Sequence, residues 1–362
     1  MQVTYARARL LLGISTVGSV VTLCVLALAL RLPQQYFSTS STDIVETGKG
    51  LTTIHGMYAV VALPFDVLGG YLLGRIFSRD VPPLGTFGKR IMRGILGQGC
   101  VYVACGVALI EMHVWFGIIG VILMFVTLQL LLLSFQLPLA MFVGGLKRTR
   151  AGLTGQGVYG TGGITGFPGA ETVALPMHWK PLLSSNLLAV MESRRRYAIT
   201  SGLRRRGVLL AMGWNIVGFA ISVLLAGGTG SIASLLTTSL YFSLTSFIGL
   251  LVLPKPSQNA VLQIDDAICK AGNRDNLLAA IRTLAGIQDD EESRHTTVQL
   301  IFHPIPAVSL RTGMSPNGTR QFAAWNVARL AIFLSWAGLS FVSRAVHCNV
   351  GRPDVWVLLP CD

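Results

Sequence analysis

The chain has 362 residues, of which 52% are hydrophobic and only 12% charged, and its mean hydropathy is +0.60. That balance excludes an ordinary soluble domain and points to a membrane protein. The formal net charge of +13 invites a nucleic-acid partner, but the basic residues fall in gaps between apolar stretches, where topology alone demands them, so nucleic acid is excluded.

Seven apolar stretches run near 10–30, 57–77, 94–112, 115–137, 208–227, 231–253 and 323–343. Each approaches the ~20 residues a helix needs to cross a ~30 Å hydrocarbon layer. The fold class predicted is an α-helical polytopic membrane protein with about seven transmembrane helices and a small α+β cytoplasmic unit. Basic residues cluster in alternate gaps: Arg7 and Arg9 before the first stretch, Arg75 to Arg93 after the second, Lys147 to Arg206 after the fourth, and Lys255 to Arg329 after the sixth. The positive-inside rule then places the N-terminus in the cytoplasm. The first stretch is too long for a cleavable signal, and Leu32-Pro33-Gln34-Gln35 lacks a small-x-small cleavage pattern. The domain order predicted is a four-helix bundle over 1–146, a cytoplasmic segment over 147–206, a transmembrane hairpin over 207–253, a second cytoplasmic segment over 254–322, a seventh helix over 323–343 and an outer tail over 344–362. The seventh stretch contains Asn326 and Arg329; were it to lie on the surface, the tail would be cytoplasmic.

Asp66 stands within the second stretch, where an ionisable group costs at least ~2.5 kcal/mol and marks a candidate for proton or ion handling. The structural alternative is an interhelical bond to Asn215 or Gln98. Gly70-x-x-x-Gly74 nearby permits close helix packing. His55, Glu111, His113 and His347 share a predicted depth at the outer face, either as a proton or metal site or as ordinary interfacial side chains. Cys24, Cys100 and Cys105 fall inside spans as small packing residues, and Cys269 is cytoplasmic and reduced. Cys348 and Cys361 lie in the predicted outer tail, where an oxidising compartment would allow a disulfide.

The two cytoplasmic segments are predicted to pack together beneath the membrane. The first begins with glycine-rich 152–169, then an alternating run from Glu171 to Pro176 that predicts a short strand, then a helix from Ser184 through Met191 to an arginine run. Gly155-x-Gly157-x-x-Gly160 spells a dinucleotide fingerprint but lacks the flanking strand and helix, so it reads as a loop. The second segment predicts helices near 258–271 and 274–286, separated by Gly272. The acidic patch Asp289 to Glu292 follows, and then His303-Pro304. Arg194 to Arg196 and Arg204 to Arg206 serve topology and anionic-lipid contact, or dock on that acidic patch.

The strand, Leu175-Pro176 and the helix reading Leu187-Leu188-Ala189-Val190-Met191-Glu192 resemble the HtpX and CAAX-prenyl-protease superfamily of membrane zinc peptidases. Ile264-Asp265-Asp266-Ala267 with Gly272, and Phe302-His303-Pro304 with Arg311, add to the likeness, which covers roughly 150–315. The resemblance implies a gluzincin-type cytoplasmic unit in a bacterial plasma membrane. It also implies an HExxH helix, with two histidines one turn apart as zinc ligands and a glutamate as general base. Here Glu192 matches the base, but Met191 and Arg195 stand where the histidines belong, and Val261 stands where a third ligand would be. Arginines beside such a site repel a dication, by about 1 kcal/mol per pair of unit charges even at water-like screening. His178, His303 and Asp265 are the remaining metal candidates, though His303 reads first as a hydrogen-bonded loop histidine. The function expected is a non-catalytic relative of these peptidases, without cofactor, that sits in the lipid bilayer and binds or scaffolds membrane protein partners. The alternatives are a zinc metalloendopeptidase with non-standard ligands, and a transporter or channel using Asp66.

Overall fold

The computed structural model describes residues 4–37, 43–150, 152–155, 157, 159–288, 291–313 and 321–359. Helix α1 (Tyr5–Ala29) is capped by Thr4, whose hydroxyl accepts from the Arg7 N–H at 3.3 Å, and the short α2 (Leu32–Tyr36) follows it. Helix α3 (Ile44–Val67) starts on Asp43 and passes through a π turn at Leu68–Leu72 into α4 (Leu73–Ile76). Next come α5 (Leu84–Ser134) and α6 (Gln136–Gly144). Two antiparallel hairpins, β1 (Lys147–Thr149) with β2 (Gly152–Thr154) and β3 (Gly163–Thr165) with β4 (Thr172–Ala174), lead to α7 (Ser185–Thr200). Helices α8 (Leu203–Ala226) and α9 (Ile232–Val252) form a hairpin. They are followed by α10 (Pro254–Ile268), α11 (Arg274–Gln288), α12 (Thr296–Phe302), α13 (Val308–Thr312) and α14 (Val327–Leu334).

Among the described residues, five helices are long and apolar enough to cross a membrane: Tyr5–Ala29, Ile44–Ile76, Leu84–Ser134, Leu203–Ala226 and the stretch beginning at Ile232. The chain is a helical, multi-pass membrane protein. Two predicted spans both fall in α5, which breaks at Gly117 (φ 60°, ψ −154°). The chain doubles back there: the first arm lies against α6, which follows the second arm, because the Arg93 guanidinium donates to Gly144 O at 2.8 Å and a Cβ on Gly97 would touch the Val143 backbone. Gly117 is therefore the tip of a helical hairpin. The end of the bundle holding Tyr5, Arg93, Gly144 and the described parts of segments 147–202 and 254–313 is the basic end.

The seventh predicted span and the outer tail are corrected by the structure. Only Val327–Gly338 is helical there, about 18 Å at 1.5 Å per residue and too short to cross. Leu339 (φ 62°) turns the chain, and residues 340–359 return through the interior of the bundle to the basic end. From Ala323 to Leu359 every residue is buried except the partly exposed Asn326, His347 and Asp354. The tip packs where Phe125 stacks on Phe219 at 4.0 Å and Phe242 meets both edge-on; a methyl on Gly338 would collide with Phe242 and Phe219. Hydropathy marks this stretch as a span because it is apolar, but what surrounds it is protein.

Candidate functional site: an arginine-lined chamber

A non-helical strand inside a bundle leaves backbone groups that lipid cannot satisfy, so side chains must. Tyr58 OH donates to Phe341 O at 2.8 Å and Ser243 Oγ accepts from Phe341 N at 2.9 Å. Asn349 donates to Ser343 O, Trp356 Nε1 to Asn349 O and Gln136 to Val357 O. Arg9, buried on α1, donates to Gly69 O in the π turn and to His347 O and Val350 O of the return segment. Asp66 pairs with Arg344 and accepts from Gly351 N at 2.7 Å, while Arg344 also reaches Gln98 and lies over the Trp356 ring at 4.4 Å. A methyl on Gly70 would strike Gly351 O, so this glycine admits the return segment.

At the basic end this arrangement leaves a chamber of about 140 Å³, lined by Arg9, Arg294, Arg311, Arg329, Arg352, Glu291, His303, His347, Met191 and Tyr159 among others. A single water needs ~10–15 Å³ on this scale, so there is room for an anion with several oxygens. Among the described residues, five guanidinium groups face one lining carboxylate, Glu291, which already pairs with Arg7 at 3.2 Å and Arg294 at 3.6 Å. Arg311 and Arg194 share the fully buried Asp265 at 2.7 Å each. Arg352 lies 3.4 Å over the Tyr159 ring. Arg329 differs from these: the residue is 6% exposed, and its Nε and Nη1 have no hydrogen-bond partner among the described residues. The His303 and His347 rings sit 5.3 Å apart beside it. Burial, and then the neighbouring Arg294 and Arg329 charges, push the His303 imidazole down to about 3, so it stays neutral at physiological pH.

The sequence candidates scatter. His55 is buried against Tyr102 and Tyr58 and faces Ile95 O at 3.0 Å. His113 meets the turn at Gly228–Gly230 and accepts from Thr229 N, and Glu111 accepts from Trp115. Gly99, which packs on His55, lies fourteen residues below His113 on one helical arm, about 21 Å. His347 lies at the basic end against Gly13. The predicted shared depth of His55, Glu111, His113 and His347 is thus corrected, because the last returns with the C-terminal segment. Asn215 bonds Ala331 O at 2.9 Å, not Asp66. Cys348 is buried at the basic end, which corrects its place in an outer tail; Cys361 and the acidic residues Asp289 and Asp290 lie outside the described residues.

The metal candidates do not converge either. His178 packs edge-on to Trp179 away from the chamber, Glu192 pairs with Arg196 at 2.6 Å on an exposed face, and Val261 is buried core. Among the described residues no three His, Cys, Asp or Glu side chains cluster as metal ligands. Met191 lines the chamber, while Arg195 donates to Met191 O and Thr161 O and lies over Trp179. Sequence reasoning missed the chamber because its arginines are spread from residue 9 to residue 352. Arg329 inside an apolar stretch was the one local signal.

No protein-family model matches the chain, and no curated protein matches it.

Proposed function

We propose that this membrane protein binds an anion carrying several oxygens, of phosphate or carboxylate type, in the arginine-lined chamber, and that it does so without peptidase chemistry. Arg329 carries the reading. A buried, uncompensated charge costs several kcal/mol, and a guanidinium matches phosphate or carboxylate in a two-pronged fashion. The positive-inside rule favours a chamber facing the cytoplasm.

The likeness to HtpX-like peptidases is compatible with this. Asp265 and Arg311, from the two stretches that carry the resemblance, are bonded to each other. What favours a non-catalytic reading is that Asp265 is held between two guanidiniums and that Arg195 fills a ligand position with its own hydrogen bonds. Asp66, committed to Arg344 and Gly351, supports a structural role over ion transport.

The test is thermal unfolding of the purified full chain in neutral detergent. Pyrophosphate is expected to raise the Tm saturably beyond sodium chloride of equal ionic strength, and Arg329→Gln to remove most of that rise. A rise equal to that from chloride, or one retained in full by Arg329→Gln, overturns the proposal.

A further inference from the structure

We infer that the bound anion is the phosphate headgroup of a lipid, taken sideways from the bilayer with its aliphatic chain in a groove between α1 and α9. The inference rests on the anion-binding reading and adds the chemical class of the ligand.

A second cavity of about 230 Å³ adjoins the chamber. Its walls are Leu10, Ile14 and Val17 of α1, Phe247 and Leu250 of α9, and Phe302 of α12. Both long walls are membrane-length helices, and Leu11, Ile14 and Leu251 are exposed along the same flank. The groove therefore opens toward hydrocarbon. Its inner end is formed by Arg329, His347 and Cys348, which also line the chamber. The uncompensated guanidinium thus stands at the junction of an apolar passage and a cationic one.

Neither half explains the other alone. A free phosphate needs no apolar annex reaching the bilayer, and a purely apolar guest would leave Arg329 buried beside hydrocarbon without a counter-charge, which is the costly arrangement. An amphiphile satisfies both, with headgroup oxygens on the guanidinium and the chain against Leu10, Val17 and Phe247. Gly18 lines the same groove, and a Cβ there would meet nothing within 4 Å. A larger side chain at Gly18 narrows the passage without disturbing the helix contacts that hold the fold.

The experiment uses the full chain in nanodiscs of a phosphate-free galactolipid with an alkyl phosphate bearing a photoreactive diazirine on its chain. Labelling is expected on peptides covering 10–18 and 247–251, and dodecyl phosphate in excess should suppress it. Arg329→Gln should cut it about tenfold, as loss of a charge-assisted contact implies, and Gly18→Leu should cut it while leaving the pyrophosphate-induced rise in Tm intact. Label spread evenly over the lipid-facing helices, or label unchanged in Gly18→Leu, overturns the lipid inference. If pyrophosphate still stabilises the protein in that case, the anion site stands without the lipid. If pyrophosphate has no effect, the anion site falls as well, and both readings fail together.

Discussion

Asp66 is 2% exposed and spends both carboxylate oxygens on the C-terminal return segment, one on Arg344 and one on the Gly351 N–H. Removing one member of such a pair strands the other charge in the interior, at about 3–5 kcal/mol, a large part of the roughly 5–15 kcal/mol by which a typical domain is stable. Asp66→Asn is therefore expected to lower the denaturant midpoint sharply, while Asp66→Ala combined with Arg344→Met recovers much of the loss. Equal stability of the single and double variants would show that the pair is not coupled. The cost of a carboxylate among apolar neighbours is local, so Asp66 was legible as an anomaly. Its partner lies 278 positions away, and no local pattern names it.

At the scale of elements, Gly117 decides whether α5 is one rod or two arms. Its φ of 60° and ψ of −154° fall where essentially only glycine is found. A Cβ at this position would meet no atom within 4 Å, so substitution costs backbone strain alone. Gly117→Ala is expected to destabilise by about 1–3 kcal/mol, read from the shift in denaturant midpoint at unchanged slope. A neutral result would mean that the turn relaxes into a conformation open to alanine. The paired apolar stretches on either side of this glycine were legible because each is long enough to count as a span. Ala323–Ser343 met the same count, but its helix stops at Gly338. Leu339 turns the chain there, and Phe219 and Phe242 close over Gly338, which hydropathy does not register.

For the whole molecule, the re-entrant C-terminal segment changes which residues share a side of the membrane. A cysteine replacing Trp115, 73% exposed beside the Gly117 tip, is expected to react with a membrane-impermeant maleimide added outside intact cells. Cys269 and Cys348, both at the basic end, should react only after permeabilisation. Labelling of Cys348 from outside would return the segment to the opposite end and remove the chamber with it. The same fold explains why a chain with so few charges keeps many of its arginines inside. Arg9 and Arg344 bind the irregular backbone and its carboxylate clamp, while Arg194 and Arg311 hold Asp265 at the junction of α7, α10 and α13.

The sequence by itself determined that the chain is a helical membrane protein, where its long apolar helices lie, and that the polar segments gather at one end, since apolarity and charge act over neighbouring residues. Strand Thr172–Ala174 and the helices from Ser185, Pro254 and Arg274 were legible for the same reason, through turn residues and helical periodicity. Only the tertiary structure decided that residues 340–359 thread the bundle and that Arg9, Arg294, Arg311, Arg329 and Arg352 face one chamber. Those arrangements rest on hydrogen bonds and packing between positions hundreds of residues apart, and a linear pattern carries no record of which distant partner satisfies a buried charge.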